Sequence, residues 1–127
     1  MSTNFLGLSR RKWRERGYYV EGTESIIRLG GMTRRKDLFG FADLVALAED
    51  GSMVLLQVTS WKNVPARVRK ILTETTGLGQ HTVHISTLAG RLLTGGARIV
   101  VEGWRQPNGP GTRWKSRERE ITPEELA

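Results

Sequence analysis

The 127-residue sequence contains no cysteine. Disulfide bonds, thiolate nucleophiles and cysteine-based zinc sites are therefore excluded, and the composition suits a reducing compartment. Histidine is also scarce, with only His81 and His84. Neither a cysteine nor an acidic cluster accompanies this pair, which argues against a zinc site.

Long apolar runs are absent as well. No segment approaches the roughly 20 apolar residues of a membrane-spanning helix, and the first residues lack the apolar core of a signal peptide. We therefore expect a cytoplasmic protein without membrane contact. A chain of 127 residues predicts a single domain, residues 1–127, with one hydrophobic core.

Acidic residues are outnumbered, since 13 Asp and Glu face 20 Lys and Arg, for a net charge of +7. Such an excess favours a polyanionic partner, most often nucleic acid, because counterion release drives binding. The alternative is a basic surface without a partner. The candidate DNA-binding residues fall in three runs: Arg10, Arg11, Lys12 and Arg14; Arg34, Arg35 and Lys36; Arg67, Arg69 and Lys70.

Two apolar segments, residues 41–48 and 52–60, are rich in aliphatic and β-branched residues and predict a β-hairpin. A three-residue loop would place Gly51 in the left-handed conformation that closes a type I turn with a bulge. In that register opposing residue numbers sum to about 100, so Asp43 lies opposite Gln57. A two-residue turn would slip the register by one and move Asp43 to the other face.

In the first register Asp43, Gln57 and Thr59 share one face of the hairpin. A carboxylate among apolar neighbours is costly unless it is paired, hydrogen-bonded or bound to a metal. Oxygen ligands on adjacent strands suit Mg²⁺. The alternative is that Asp43 lies at a solvated strand start and that Gln57 is an ordinary polar residue.

The segments GFADLVAL and VLLQVTS resemble the core of the PD-(D/E)xK nuclease superfamily, in particular the archaeal-type Holliday junction resolvases and their small phage and bacterial relatives. Ala42-Asp43 corresponds to the PD pair, and residues 57–59 correspond to the (D/E)xK triplet. Gln57 thus replaces the usual carboxylate, and Thr59 occupies the position of the catalytic lysine. The resemblance covers residues 10–75.

This resemblance implies an α/β fold with a restriction-endonuclease-like core, in which helices flank a mixed central β-sheet. It also implies Mg²⁺-dependent DNA cleavage, with Mn²⁺ as a substitute. Asp43 would bind the metal, Gln57 would act as a carbonyl ligand or position water, and Thr59, Lys62 or both would replace the missing lysine.

The family also carries a glutamate on its first helix, and Glu15, Glu21 and Glu24 are the candidates for that role. Glu21 and Glu24 would complete the metal site from the strand after the helix, and Asp37 is a further ligand candidate. Each of these acids has an alternative explanation as a charge partner of nearby arginines.

The family resemblance predicts an endonuclease that acts on branched DNA such as a Holliday junction. Such an enzyme would work as a homodimer, and its small size would suit a phage. The alternative is a DNA-binding accessory protein that keeps the nuclease fold and has lost catalysis. A protein-interaction module without nucleic acid is a third class.

The flanking segments predict further elements of an α/β domain. Residues 3–17 suggest a helix that faces the core with Leu6 and Trp13 and begins either early or at Ser9 as N-cap. Asn63 would cap a helix with an apolar stripe. The remaining expected elements are a strand at 18–21, a break at 77–80, a helix at 84–93 and strands at 97–104 and 112–121.

Overall fold

The computed structural model describes residues 4–23, 37–78 and 80–126. The helices are Phe5–Glu15 (α1), Val64–Thr73 (α2), Ile85–Thr94 (α3) and Pro123–Leu126 (α4). The strands are Tyr19–Gly22 (β1), Leu44–Leu47 (β2), Met53–Ser60 (β3), Thr75–Leu78 (β4), His81–His84 (β5), Arg98–Arg105 (β6) and Lys115–Glu120 (β7). A 3-10 turn, Trp61–Asn63, joins β3 to α2.

Five strands form a mixed sheet in the order β1-β2-β3-β6-β7, in which only β3 and β6 run parallel. A parallel connection needs a crossover, and α2, the β4-β5 hairpin and α3 supply it. One apolar cluster joins α1 to one face of the sheet through Trp13, and a second joins α2 and α3 to the other face. The expected α/β architecture, a mixed sheet flanked by helices, is confirmed.

The predicted hairpin register is confirmed, because Val45 pairs with Leu55 and Leu44 pairs with Leu56. Gly51 has φ +90° and its N–H donates to the carbonyl of Ala48 at 3.0 Å, as a three-residue loop requires. The predicted start of the first strand at residue 41 is wrong. The strand begins at Leu44, because the preceding residues form a tight turn of their own.

Helix α1 begins at Phe5, which agrees better with the predicted early start than with the alternative start at Ser9. Asn4 caps the helix by accepting a hydrogen bond from the N–H of Gly7 at 2.9 Å. Ser9 lies inside the helix, fully buried, and is not an N-cap. Leu6, expected in the core, is 37% exposed, whereas Trp13 is buried as predicted.

On the other face of the sheet, α2 buries Val64, Val68 and Ile71, as its apolar periodicity predicts. Asn63 occupies the N-cap position, but its side chain makes no capping bond. Of the break expected at residues 77–80, residues 77 and 78 instead end strand β4, Gln80 lies in a turn before β5, and Gly79 is outside the described residues. Short polar strands of this kind carry little apolar alternation, which is why the sequence pattern did not indicate them.

Glu102 on β6 is the buried acid that attaches α1 to the sheet. It is fully buried, and its Oε1 accepts hydrogen bonds from Ser9 Oγ at 2.6 Å and Trp13 Nε1 at 3.1 Å. Its Oε2 accepts from Lys12 Nζ, which also reaches Glu118 on β7 at 2.8 Å. A buried carboxylate with this many partners is satisfied inside the protein.

Glu102→Ala should lower the free energy of unfolding by about 3 to 5 kcal/mol, because it leaves a buried hydroxyl and an indole N–H without their acceptor and removes one of the two acidic partners of Lys12. Urea denaturation followed by circular dichroism measures the change. The matched control is Glu120→Ala, which removes an exposed pair with Arg98 and should cost less than about 1 kcal/mol. Equal losses in the two variants would contradict a structural role for the Glu102 network.

Candidate metal and phosphate site

A tight turn precedes β2 and brings two aspartates together. The N–H of Leu38 donates to the carbonyl of Ala42 at 3.0 Å, and the N–H of Ala42 donates back at 2.9 Å. This antiparallel bridge places the flanking residues, Asp37 and Asp43, opposite one another. The turn itself is made by Phe39 and Gly40, with φ +57° and +86°.

The turn is held in place by packing on both sides. Phe41 and Ala42 are fully buried in the α2 side of the core. A Cβ added to Gly40 would lie 2.7 Å from Cβ of Thr76 on β4, so the turn also packs closely against the β4-β5 hairpin. A phenylalanine at positive φ is strained, and such strain persists only where the surroundings impose it.

Asp43 is hydrogen-bonded to β3, the neighbouring strand. Its Oδ2 accepts from the backbone N–H of Val58 at 2.8 Å and from Nε2 of Gln57 at 3.1 Å. The Gln57 side chain is buried, at 3% exposed, and no described residue donates to its Oε1. A buried carbonyl oxygen without a hydrogen-bond donor destabilises the fold, and such an oxygen can serve as a ligand of a cation.

The pKa of the Asp43 carboxyl is raised to about 7, first of all by burial. The N–H of Val58 opposes this rise, while the carboxyl group of Asp37 adds to it through its charge and a hydrogen bond. Near neutral pH the Asp43 carboxyl is therefore close to the midpoint of its titration, and a bound cation would favour the ionised form.

Helix α2 brings two cations to this pair of acids. Lys70 Nζ lies 3.8 Å from Oδ2 of Asp37, and the charge of Arg67 lowers the pKa of Asp43. These residues are three apart, so they share one side of the helix. The sequence had indicated both as DNA-binding residues on the outer side of α2, and the fold turns them towards the acids.

Other residues predicted for the site lie elsewhere or make different contacts. Thr59 shares the face of Gln57 but is only 6% exposed. Lys62 is exposed on the 3-10 turn, and no described contact joins it to Asp43 or Asp37. Glu21 is exposed on edge strand β1, opposite Val45.

Three-acid clusters that could hold a metal do not occur among residues 4–23, 37–78 and 80–126. The carboxylate site thus contains two acids, Asp37 and Asp43. The side-chain carbonyl of Gln57 is the third oxygen atom that could bind a cation there. Glu15 is exposed at the end of α1. Glu24 lies outside the described residues, as does the basic run Arg34, Arg35 and Lys36.

The basic residues of α1 differ in what they contact. Lys12 is paired with Glu102 and Glu118, so its ammonium is engaged inside the protein. The remaining cations, Arg10, Arg11 and Arg14, line a common surface depression. Arg69 on α2 is exposed. Arg11, Arg14 and Arg69 are thus exposed, whereas Arg10 is half-buried.

Taken together, the fold is mixed α/β, and the site is a carboxylate pair with a buried amide and two basic side chains. Comparison of the chain with protein-family models, curated proteins and solved structures finds no significant match. In the described part of the chain, no helix is long and apolar enough to cross a membrane.

The sequence pattern predicts strand from residue 41 and indicates Asp37 only as a further ligand candidate beside Asp43. The signal for their pairing was the short apolar stretch with Gly40 between the two aspartates, which permits a turn with positive φ. Glu102 had no such signal. It reads as one acid in a strongly apolar strand, and only its neighbours on α1 explain it.

Gly40→Ala should destabilise the protein by about 3 kcal/mol, because it adds an atom against Thr76 to the strain of a positive φ. Gly51→Ala is the matched control. It has a similar φ, no described atom lies within 4 Å of the added Cβ, and it should cost only about 1 kcal/mol. Urea denaturation compares the two, and equal losses would refute the close packing of the turn.

The raised pKa of Asp43 predicts that its ionisation destabilises the fold. Its ordinary pKa is 3.8, so between about pH 4 and pH 7 the folded state holds a proton that the unfolded state has lost. Stability therefore falls as pH rises through this window. One pKa unit corresponds to about 1.4 kcal/mol, and with partial solvation we expect a loss of about 2 kcal/mol.

Asp43→Asn removes this ionisation and should be more stable than the native protein at pH 8, with little difference at pH 4. Thermal unfolding in metal-free buffer across this range gives the comparison. Taking the difference between the two proteins cancels the contributions of acids with lowered pKa, such as Glu118 and Glu125. A constant difference from pH 4 to pH 8 would show that the Asp43 pKa is not raised.

Proposed function

We propose that this protein is a metal-dependent endodeoxyribonuclease. The observation that carries the proposal is the contact between Asp43, which directly precedes β2, and the buried Gln57 on β3, whose amide oxygen has no donor among the described residues. Asp37 adds a second carboxylate, and Arg67 and Lys70 add positive charge beside it. In this proposal the acids hold a metal ion and the neighbouring cations hold a phosphate.

The donor set fits Mg²⁺, with Mn²⁺ as a substitute, because it consists of oxygen atoms alone. Asp43, Asp37 and Oε1 of Gln57 would hold the ion. When bound, the ion would lower the pKa of a water molecule and neutralise charge on the phosphate. The hydrogen bond from Nε2 of Gln57 to Asp43 orients the amide so that its oxygen is available for this role.

In this proposal the lysine missing from the Gln57-Val58-Thr59 motif is replaced from helix α2. Lys70 and Arg67 lie beside the carboxylates, whereas the ammonium of Lys62 has no described contact with them. Their charges would orient a phosphodiester and stabilise the charge that develops on it. Thr59, being almost fully buried, would support Gln57 rather than contact the substrate.

The proposed substrate is branched DNA, in particular a Holliday junction. The net charge of +7 favours a polyanion, and the preference for branched DNA follows the resemblance to junction resolvases. Resolution of a junction requires cuts in two strands, so the proposal includes a homodimer with two sites. The molar mass of the complex that the protein forms with a junction in EDTA tests whether two copies bind.

The alternative is a DNA-binding protein with a nuclease-like fold and no catalysis. It is favoured by Thr59 at the lysine position and by the lack of a third acid among the described residues. The two functions share DNA binding and differ only in cleavage. A single assay with separate readouts of binding and nicking distinguishes them.

The test is nicking of an end-labelled four-way junction, with a linear duplex of the same sequence as control, in Mg²⁺, Mn²⁺ or EDTA. We expect metal-dependent nicking that Asp43→Asn and Gln57→Leu lower by at least about 100-fold, because each removes a ligand. Lys70→Ala should lower the rate by about 10- to 100-fold, with metal binding retained.

Glu49→Gln is the matched control, since it removes an exposed carboxylate from the loop of the same hairpin. It should leave nicking unchanged. Junction binding that persists in Asp43→Asn would show that the loss is catalytic. Tight, salt-sensitive binding with no nicking in either metal would overturn the nuclease and establish the alternative.

A further inference from the structure

A second basic cluster lies at the far end of the β6-β7 hairpin, around Trp61. The guanidinium of Arg105 lies 3.9 Å from the centre of the Trp61 ring, and that of Arg117 lies 5.0 Å from it. Nη2 of Arg117 also donates to the carbonyl of Trp61 at 2.7 Å. Lys115 pairs with Arg105 across the two strands. We call these four residues the Trp61 cluster.

The cluster is on the same side of the sheet as the carboxylate site. Thr59 on β3 is paired with Gly103 on β6, which in turn is paired with Arg117 on β7. Paired residues share a face, and residues two apart along a strand do so as well. Arg105, Lys115 and Arg117 therefore point to the α2 side, the side of Gln57 and Asp43.

The cations of this cluster are not neutralised, unlike those at the other end of the same hairpin. There, Arg98 is paired with Glu120, and Arg119 is paired with Glu125. Among the residues that the structure describes, no acid forms an ion pair with Arg105, Lys115 or Arg117. On β6 and β7, the cations without an ion pair among the described residues are thus these three, at the end beside Trp61.

The stacking on Trp61 makes these cations more than a solvated face. A guanidinium that already lies over an indole ring loses less conformational freedom when it binds an anion than a free one does. Such an arrangement suits the paired oxygens of a phosphate. Because Arg105 covers the ring closely, the indole is a support for the guanidinium rather than a platform for a base.

We propose that the Trp61 cluster is a second contact for the phosphate backbone of DNA, separate from the carboxylate site. This inference rests on the proposed function only in taking DNA as the partner. At the start of α2, Val64 packs beside Gly103 and Trp61, whereas Arg67 and Lys70 approach the acids from later turns of the same helix. The cluster would anchor one part of the substrate while another part reaches Asp43.

The test is the salt dependence of junction binding in EDTA, where no cleavage occurs. The association constant K falls as salt rises, so the slope of log K against log salt is negative. Arg105→Ala and Lys115→Ala should each reduce the magnitude of this slope by about 1, and the double variant by about 2. Arg105→Lys keeps the charge but loses the stack, so it should weaken binding with little change in slope. Both mutated residues are exposed, and unfolding curves verify that the fold is intact.

Arg91→Ala is the matched control, because Arg91 is an exposed arginine on α3, beside Thr87 and Pro123. Arg91→Ala removes one positive charge, as each single variant of the cluster does, and it should leave the slope unchanged. A slope for the double variant equal to that of the native protein, or of Arg91→Ala, would overturn the inference. Absence of DNA binding in the native protein would overturn it too.

The inference and the proposed nuclease fail in different ways. If the slope falls as expected but no metal supports nicking, the Trp61 cluster stands and the nuclease does not. If nicking is metal-dependent and Asp43-dependent but the slope is unaffected, the nuclease stands and the cluster does not. The two readouts come from the same proteins and the same labelled junction.

Discussion

The register of the β2-β3 hairpin is the constraint on which the rest of this structure depends. With Val45 opposite Leu55, Asp43 and Gln57 face helix α2, while Leu44 and Leu56 face helix α1. A slip of one residue would exchange the two sets, bury a carboxylate against Trp13 and dismantle both cores at once. The loop that ends in Gly51, with its positive φ, selects this register locally, and the two apolar clusters select it globally.

An acid lies on each side of the sheet, Glu102 on the α1 side and Asp43 on the α2 side. Their surroundings distinguish an acid that stabilises the fold from one that could bind a ligand. Glu102 accepts hydrogen bonds from Ser9, Trp13 and Lys12, so both oxygens of its carboxylate have partners inside the protein. Asp43 is hydrogen-bonded to β3, but burial and the second carboxyl group raise its pKa, and the amide beside it has an oxygen with no described donor. The first acid stabilises the fold without a ligand. The second would be stabilised by a cation from outside the chain.

How far each feature could be predicted follows from the range of the interactions that produce it. The hairpin register and the buried stripe of α2 depend on turn chemistry and periodicity, which are written along the chain. The pairing of Asp37 with Asp43 depends on a turn in which Phe39 adopts a positive φ, and propensity argues against that conformation. Likewise, the β4-β5 hairpin has no apolar alternation to mark it, and it is needed to hold that turn.

The sequence by itself determined the class of the fold, the register of the central hairpin, the placement of Asp43 beside Gln57 and the excess of positive charge, because these follow from local patterns and composition. Only the tertiary structure decided which charges act together. It directed Lys70 and Arg67 towards the carboxylates, enclosed Lys12 with Glu102, and stacked Arg105 and Arg117 on Trp61. The physical reason is that ion pairs and ring contacts need separations of a few ångströms, and residues far apart in sequence reach such separations only once the helices have packed on the sheet.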